Sequence, residues 1–147
     1  TDFSFLPERD GRPVANAVAP GKRPRSSMTP VIVFDGDGAP WAALGSPGGP
    51  AIIGYVAKTL VALVDWDMGM QAAIDFPNAV YPREAPIVES GGFDEQVIDG
   101  LRRLGHPVAA RDLVSGVHGF RKLGDGYYDG GADRRREGAW KTGAVER

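Results

Sequence analysis

The chain is 147 residues long, enough for one domain or a large part of one. Its 17 Lys+Arg stand against 19 Asp+Glu, which leaves no field strong enough to recruit nucleic acid or an anionic membrane surface. There is no cysteine, so disulfides, thiol catalysis and thiolate metal sites are excluded, and no uncharged apolar stretch is long enough to span a bilayer.

With 21 Gly and 12 Pro, the chain is expected to hold many tight turns and little uninterrupted helix. Residues 1–30 read as an extended, irregular arm, because Pro7, Gly11, Pro13, Pro20, Gly21, Pro24 and Pro30 break every candidate helix. Residues 31–147 read as a mixed α/β body. Val31–Phe34 and Trp41–Leu44 are short apolar runs flanking Asp35-Gly36-Asp37-Gly38, the composition of a β-hairpin turn.

Gly45-Ser46-Pro47-Gly48-Gly49-Pro50 leads into an apolar run from Ala51 to Trp66, in which only Lys58 is charged before Val64. Proline suits the first helical turn, and a helix apolar on almost every side predicts burial all round. A shorter helix is expected from Met70 to Phe76, stopped by Pro77, followed by a strand around Pro86–Glu89. A third helix spans about Asp94–Leu104, with Asp94 as N-cap, Arg102 and Arg103 in the last turn, and Phe93, Val97, Ile98, Leu101 and Leu104 on one face. Strands around Pro107–Ala110, Val117–Leu123 and Tyr127–Tyr128 complete a layered α/β or α+β body, the last two joined by a turn at Gly124-Asp125-Gly126.

The sharpest chemical signal is the paired glycine of Gly45-Ser46-Pro47-Gly48-Gly49, between a strand and a helix. Helix N-termini offer unpaired N–H groups and partial positive charge, and glycine lets another group approach the backbone closely. A developing oxyanion is one partner for such amides, at about 2.7–4 kcal/mol for one donor. A tight strand-to-helix turn that needs glycine for geometry alone is the simpler reading of these residues by themselves. A phosphate loop would need the Lys and Ser/Thr that do not follow here.

Ser26-Ser27, in the proline-bounded Gly21–Pro30 segment, offer two hydroxyls to a carboxylate or carbonyl, or to the loop's own backbone. Lys22, Arg23 and Arg25 read as a solvated charge cluster. His106 and His118 have no organised carboxylate spacing around them, and Asp35-x-Asp37-Gly38 lacks the later ligands of a calcium loop. Asp133-Arg134-Arg135-Arg136-Glu137 reads as a solvated tail.

Taken in order, these segments resemble the gamma-glutamyltranspeptidase family. Pro20-Gly21-Lys22-Arg23-Pro24 leading into Ser26-Ser27-Met28 looks like that family's serine motif. Gly45-Ser46-Pro47-Gly48-Gly49 looks like its paired-glycine motif, and Asp2-Phe3-Ser4, Gly92-Phe93, Leu104-Gly105-His106 and Gly131-Ala132-Asp133-Arg134 have counterparts in the same sequence. The resemblance implies the C-terminal portion of the small subunit of an αββα-sandwich N-terminal nucleophile hydrolase. It implies that Asp2 contacts the α-amino group of a γ-glutamyl substrate, that Ser26 and Ser27 bind its α-carboxylate, and that Gly48 and Gly49 supply the oxyanion hole. It also implies cleavage of γ-glutamyl amides such as glutathione-like compounds, transfer to water or an amino-acid or peptide acceptor, and no metal or organic cofactor.

One departure limits the resemblance. The family's nucleophilic threonine lies well upstream of the Asp-Phe-Ser segment, whereas Thr1 abuts Asp2-Phe3. Thr1 is therefore not expected to be the nucleophile, and the chain alone is expected to be inactive. Its implied partners are the large subunit and the upstream part of the small subunit of the same precursor. The implied compartment is periplasmic or extracellular, with the cytoplasm still open. A non-catalytic binding or scaffolding module, or an acylase acting on another acyl group, are the alternatives.

Overall fold

Period-two burial organises the main sheet. The structure, a computed structural model, describes residues 3–82 and 85–143. Two residue pairs in the arm, β1 (Glu8–Arg9) and β2 (Arg12–Pro13), form a minimal hairpin around Asp10 and Gly11, both at positive φ. A parallel bridge joins Ser4 to Ala17. The arm is thus more ordered than its prolines suggest: Asp10-Gly11 provides the left-handed turn that a two-residue hairpin needs.

β3 (Val31–Phe34) and β4 (Pro40–Gly45) pair antiparallel as expected, with a register shift at Val33/Phe34. The turn is closed by Asp35, whose Oδ1 accepts from the N–H of Asp37 at 3.0 Å and of Ala39 at 2.8 Å. Asp35 therefore acts as a turn residue, which is the local bonding aspartate favours. β8 (His118–Lys122) and β9 (Tyr128–Ala132) complete a four-stranded antiparallel sheet in the order β3-β4-β8-β9. The last strand starts one residue later and runs four further than predicted, because Asp129-Gly130-Gly131-Ala132 is held in register by β8 rather than by its own propensity.

One face of this sheet is covered by α1 (Ile52–Val64) and α2 (Met70–Asp75). Ile52, Tyr55, Val56, Thr59, Ala62 and Leu63 recur at helical spacing and are buried, and Met70, Ala73 and Ile74 have no exposed surface. Each large side chain so buried contributes on the order of 1.5–3 kcal/mol. Gly131 allows α2 to lie this close: a Cβ there would stand 2.9 Å from Ile74 Cδ1 and 3.0 Å from the Gln71 backbone.

A smaller sheet, β5-β6-β7, consists of β5 (Ala79–Val80), β6 (Ile87–Glu89) and β7 (Ala109–Arg111), with β6 and β7 parallel across α3 (Glu95–Arg103). Val88, Ile98 and Val108 form its core, with Phe93 and Leu101 packed against them.

Three expectations about packing need correction. α1 is not buried all round, since Ile53 is 70% exposed and Val61 and Val64 also face outward. On α3, Val97 and Leu104 are exposed, because the small sheet is only three strands wide and covers Ile98 and Leu101 alone. Asp94 occupies the N-cap position of α3, but its side chain makes no cap bond.

The outer face of the main sheet carries an uncovered apolar surface. Ile32, Phe34, Phe120 and Tyr128 alternate with the inward residues, and all are exposed. Phe120 and Tyr128 meet edge to face at 5.7 Å, and Phe120 and Trp140 border an apolar hollow over Ala43 and Gly131. No helix among the described residues is long and apolar enough to cross a membrane.

Candidate functional site

β4 ends at Gly45, and the chain turns through Ser46-Pro47-Gly48 into a 3-10 turn, Gly49–Ala51, before α1 begins. The amides at the glycines therefore cap a 3-10 turn rather than the α-helix itself. The first N–H groups of such a turn have no acceptor within it.

Each glycine is required for its own reason. Gly48 has φ +139°, and a Cβ on it would lie 2.6 Å from Tyr55 Cε2. Gly49 has φ +57° with nothing within 4 Å of where a Cβ would stand, so it opens onto free space. Gly48 is fixed from below by a ring, and Gly49 is bare to its neighbours.

Gly49 borders a cleft of about 380 Å³, with Arg25, Ser26, Ser27, Met28 and Thr29 on one side and Pro50, Ile52, Ile53 and Pro82 on the other. Residues 23 positions apart in sequence thus share one concavity. Asn16 holds the serine segment in place by accepting the Arg25 backbone N–H at 3.0 Å on its Oδ1. Ser26 Oγ donates to the Met28 carbonyl at 3.4 Å, a long bond that leaves the hydroxyl oxygen exposed. Arg25, read from sequence as part of a solvated cluster, also lines the cleft.

Of the predicted site residues, Ser26, Ser27 and Gly49 are brought together. Gly48 stands one residue behind them, over Tyr55. Asp2, like Thr1, lies outside the described residues. His106 is an exposed turn residue whose N–H bonds the Leu101 carbonyl, and His118 opens β8.

A buried polar cluster was not legible from the sequence. Asp133, expected in a solvated tail, has no exposed surface. Its carboxylate receives Ser115 Oγ, the Arg135 N–H at 3.0 Å and Arg135 Nη1 at 3.2 Å. Arg135 forks onto Glu89, Nε to Oε1 at 2.6 Å and Nη2 to Oε2 at 3.0 Å, and also reaches the Ile74 and Asp75 carbonyls at the end of α2. Asn78 joins from the other side, giving its N–H and its side-chain NH₂ to Glu89 and its NH₂ to Ser115. Burial alone would raise the Asp133 pKa; the Ser115 hydroxyl, the backbone N–H of Arg135 and the Arg135 charge outweigh it and hold the carboxyl below its ordinary range.

Lys58 adds a second cation at the same helix end. Its ammonium donates to the carbonyls of Ala73, Ile74 and Phe76 at 2.8, 3.1 and 3.0 Å. Burial, and then the neighbouring Arg135 charge, lower its pKa to about 8. This cluster is a structural clamp: apart from Asn78 Oδ1, its buried side-chain atoms all have partners within the protein.

Comparison with known proteins gives a consistent answer. A family profile described as gamma-glutamyltranspeptidase matches residues 1–143. The glutathione hydrolase proenzyme of Bacillus subtilis (strain 168) is 33% identical over 141 residues, covering 95% of this chain and 23% of that protein. That of Escherichia coli (strain K12) is 34% identical over 124 residues, covering 82% of this chain and 21% of that protein. A solved structure of a Helicobacter pylori gamma-glutamyltranspeptidase mutant superposes with a TM-score of 0.77 at 28% identity, over 91% of this chain and 77% of that one. The chain thus spans about a fifth of the length of the curated relatives it matches.

Proposed function

Since the chain belongs to the gamma-glutamyltranspeptidase family, we propose that it supplies one wall of a γ-glutamyl binding site, the nucleophile coming from the rest of the precursor. The observation that carries this reading is the shared cleft of Ser26, Ser27 and Gly49. Ser26 and Ser27 receive the substrate's α-carboxylate. Asp2, at the head of the same arm, receives its α-amino group. The N–H groups of Gly49 and Gly48 face the γ-carbonyl oxygen.

In this mechanism a threonine from outside the chain attacks the γ-carbonyl carbon, and its own α-amino group takes the hydroxyl proton. The carbonyl electron pair moves onto oxygen, where the glycine amides stabilise it. Collapse expels the amine and leaves a γ-glutamyl ester, which passes to water or to an amino-acid or peptide acceptor. Glutathione-like amides are the substrate class. The chain by itself holds too few of these groups to turn over.

The uncovered outer face of the main sheet, with Ile32, Phe34, Phe120 and Tyr128, is assigned to the same missing partner. An apolar surface of this kind is a contact surface in waiting. The large subunit and the upstream part of the small subunit are the segments that would cover it.

Replacing both serines (Ser26→Ala with Ser27→Ala) in the complete enzyme is expected to raise KM for a γ-glutamyl anilide by about tenfold or more, since hydrogen bonds to a charged group contribute about 1.5–3 kcal/mol. An acyl anilide without the α-carboxylate should respond to neither change. A KM unchanged for the γ-glutamyl substrate would remove the serines from the carboxylate role. It would favour an acylase acting on another acyl group.

A further inference from the structure

Two peptide planes decide whether the glycine amides face the cleft, and each is anchored through its carbonyl. The Gly48 carbonyl accepts the Ala51 N–H at 3.2 Å. The Gly49 N–H belongs to the same planar trans peptide, so it must point the opposite way, out of the turn. The preceding plane is held differently. The Pro47 carbonyl accepts Ser46 Oγ at 2.7 Å, and that oxygen in turn accepts the Gly116 N–H at 3.2 Å. A hydroxyl has one donor and two acceptor positions, so both bonds are satisfied at once. Pinning the Pro47 oxygen fixes the direction of the Gly48 N–H on the same plane.

Gly116 is a firm anchor for this bond. Its flanking residues are tied to Asp133, Ser115 through its hydroxyl and Val117 through both backbone groups: the Val117 N–H reaches Asp133 Oδ2 at 3.4 Å and the Asp133 N–H reaches the Val117 carbonyl at 2.9 Å. Pro47 lies directly on Gly116, where a Cβ would stand 2.7 Å from Pro47 Cγ. The proline ring and the serine hydroxyl thus register the glycine loop against the buried clamp. Tyr55 closes the space beneath Gly48.

We propose that Ser46 is a positioning residue of the reaction: through the Pro47 carbonyl and the Gly116 amide, it sets the direction of the Gly48 N–H toward the developing oxyanion. This rests on the oxyanion role of the glycine pair. Ser46 touches no substrate, and its effect is confined to the transition state, where the amide's direction matters most.

The test is steady-state kinetics of the complete, processed enzyme on a γ-glutamyl anilide, with Tm recorded for each variant. Ser46→Ala is expected to lower kcat about tenfold or more, a misplaced donor being costly, while KM stays within about twofold. Ser46→Thr keeps the hydroxyl and should recover most of kcat. Gly116→Ala, which forces Pro47 off its seat, should reproduce the Ser46→Ala loss. Gly48→Ala serves as the reference for the reading beneath, because its Cβ would meet the Tyr55 ring and displace the glycine amides. If Gly48→Ala loses kcat and Ser46→Ala does not, the positioning role alone is overturned. An unchanged kcat in Gly48→Ala overturns the oxyanion reading, and the positioning role with it. Equal losses in Ser46→Ala and Ser46→Thr, or losses that follow a lowered Tm, make Ser46 merely structural.

Discussion

The chain holds two polar regions of opposite character, the buried clamp around Asp133 and Arg135 and the open cleft around Ser26, Ser27 and Gly49. In the clamp, polar groups from four segments turn inward and satisfy one another, with Glu89 and Arg135 locked by a two-point fork. In the cleft, the exposed Ser26 makes only a long bond to the Met28 carbonyl, and Gly49 opens onto free space. Inward satisfaction gives rigidity, and outward availability gives a site. Ser46-Pro47 seated on Gly116 is where the rigid region meets the open one.

The comparison is broken most severely at the clamp. Arg135→Met leaves Asp133 and Glu89 buried without their cation, and removing one partner of a buried ion pair typically costs about 3–5 kcal/mol. Urea denaturation should show that loss, with the slope unchanged. A change under about 0.5 kcal/mol would mean that the cluster is as solvated as an ordinary surface pair.

A smaller effect sharpens the same contrast. Lys58 keeps its proton in the unfolded chain up to its ordinary value of 10.5 but releases it near 8 when folded. Between these limits the unfolded state binds more protons, so unfolding free energy rises as pH rises through that window. The rise should be absent in Lys58→Met, measured by the difference between the two proteins at pH 7.5 and about pH 10. Equal pH dependence would show that the three carbonyls hold the ammonium as well as water does.

Part of this arrangement was legible in the sequence because it is local. Asp35-Gly36-Asp37-Gly38 encodes its own hairpin, and α2 ends at Asp75, just short of Pro77, as a proline dictates. Gly48-Gly49 announced itself between a strand and an apolar run, and the ordered motifs placed Ser26-Ser27 with it. The clamp was hidden because Asn78, Glu89, Ser115 and Asp133 meet only through the tertiary fold, and three consecutive arginines look like a tail whichever way they face. Periodicity also misjudged α1 and α3. It identifies which residues are apolar, as with Ile53 and Leu104, but not which of them has something to pack against.

The central claim is that this chain is half of a γ-glutamyl site. Release of the chromophore from a γ-glutamyl anilide, by the chain alone and after reconstitution with its upstream polypeptide, tests it most directly. The account predicts silence from the chain alone and turnover on reconstitution. Turnover by the chain alone would contradict it, since a nucleophile would then have to lie within these 147 residues.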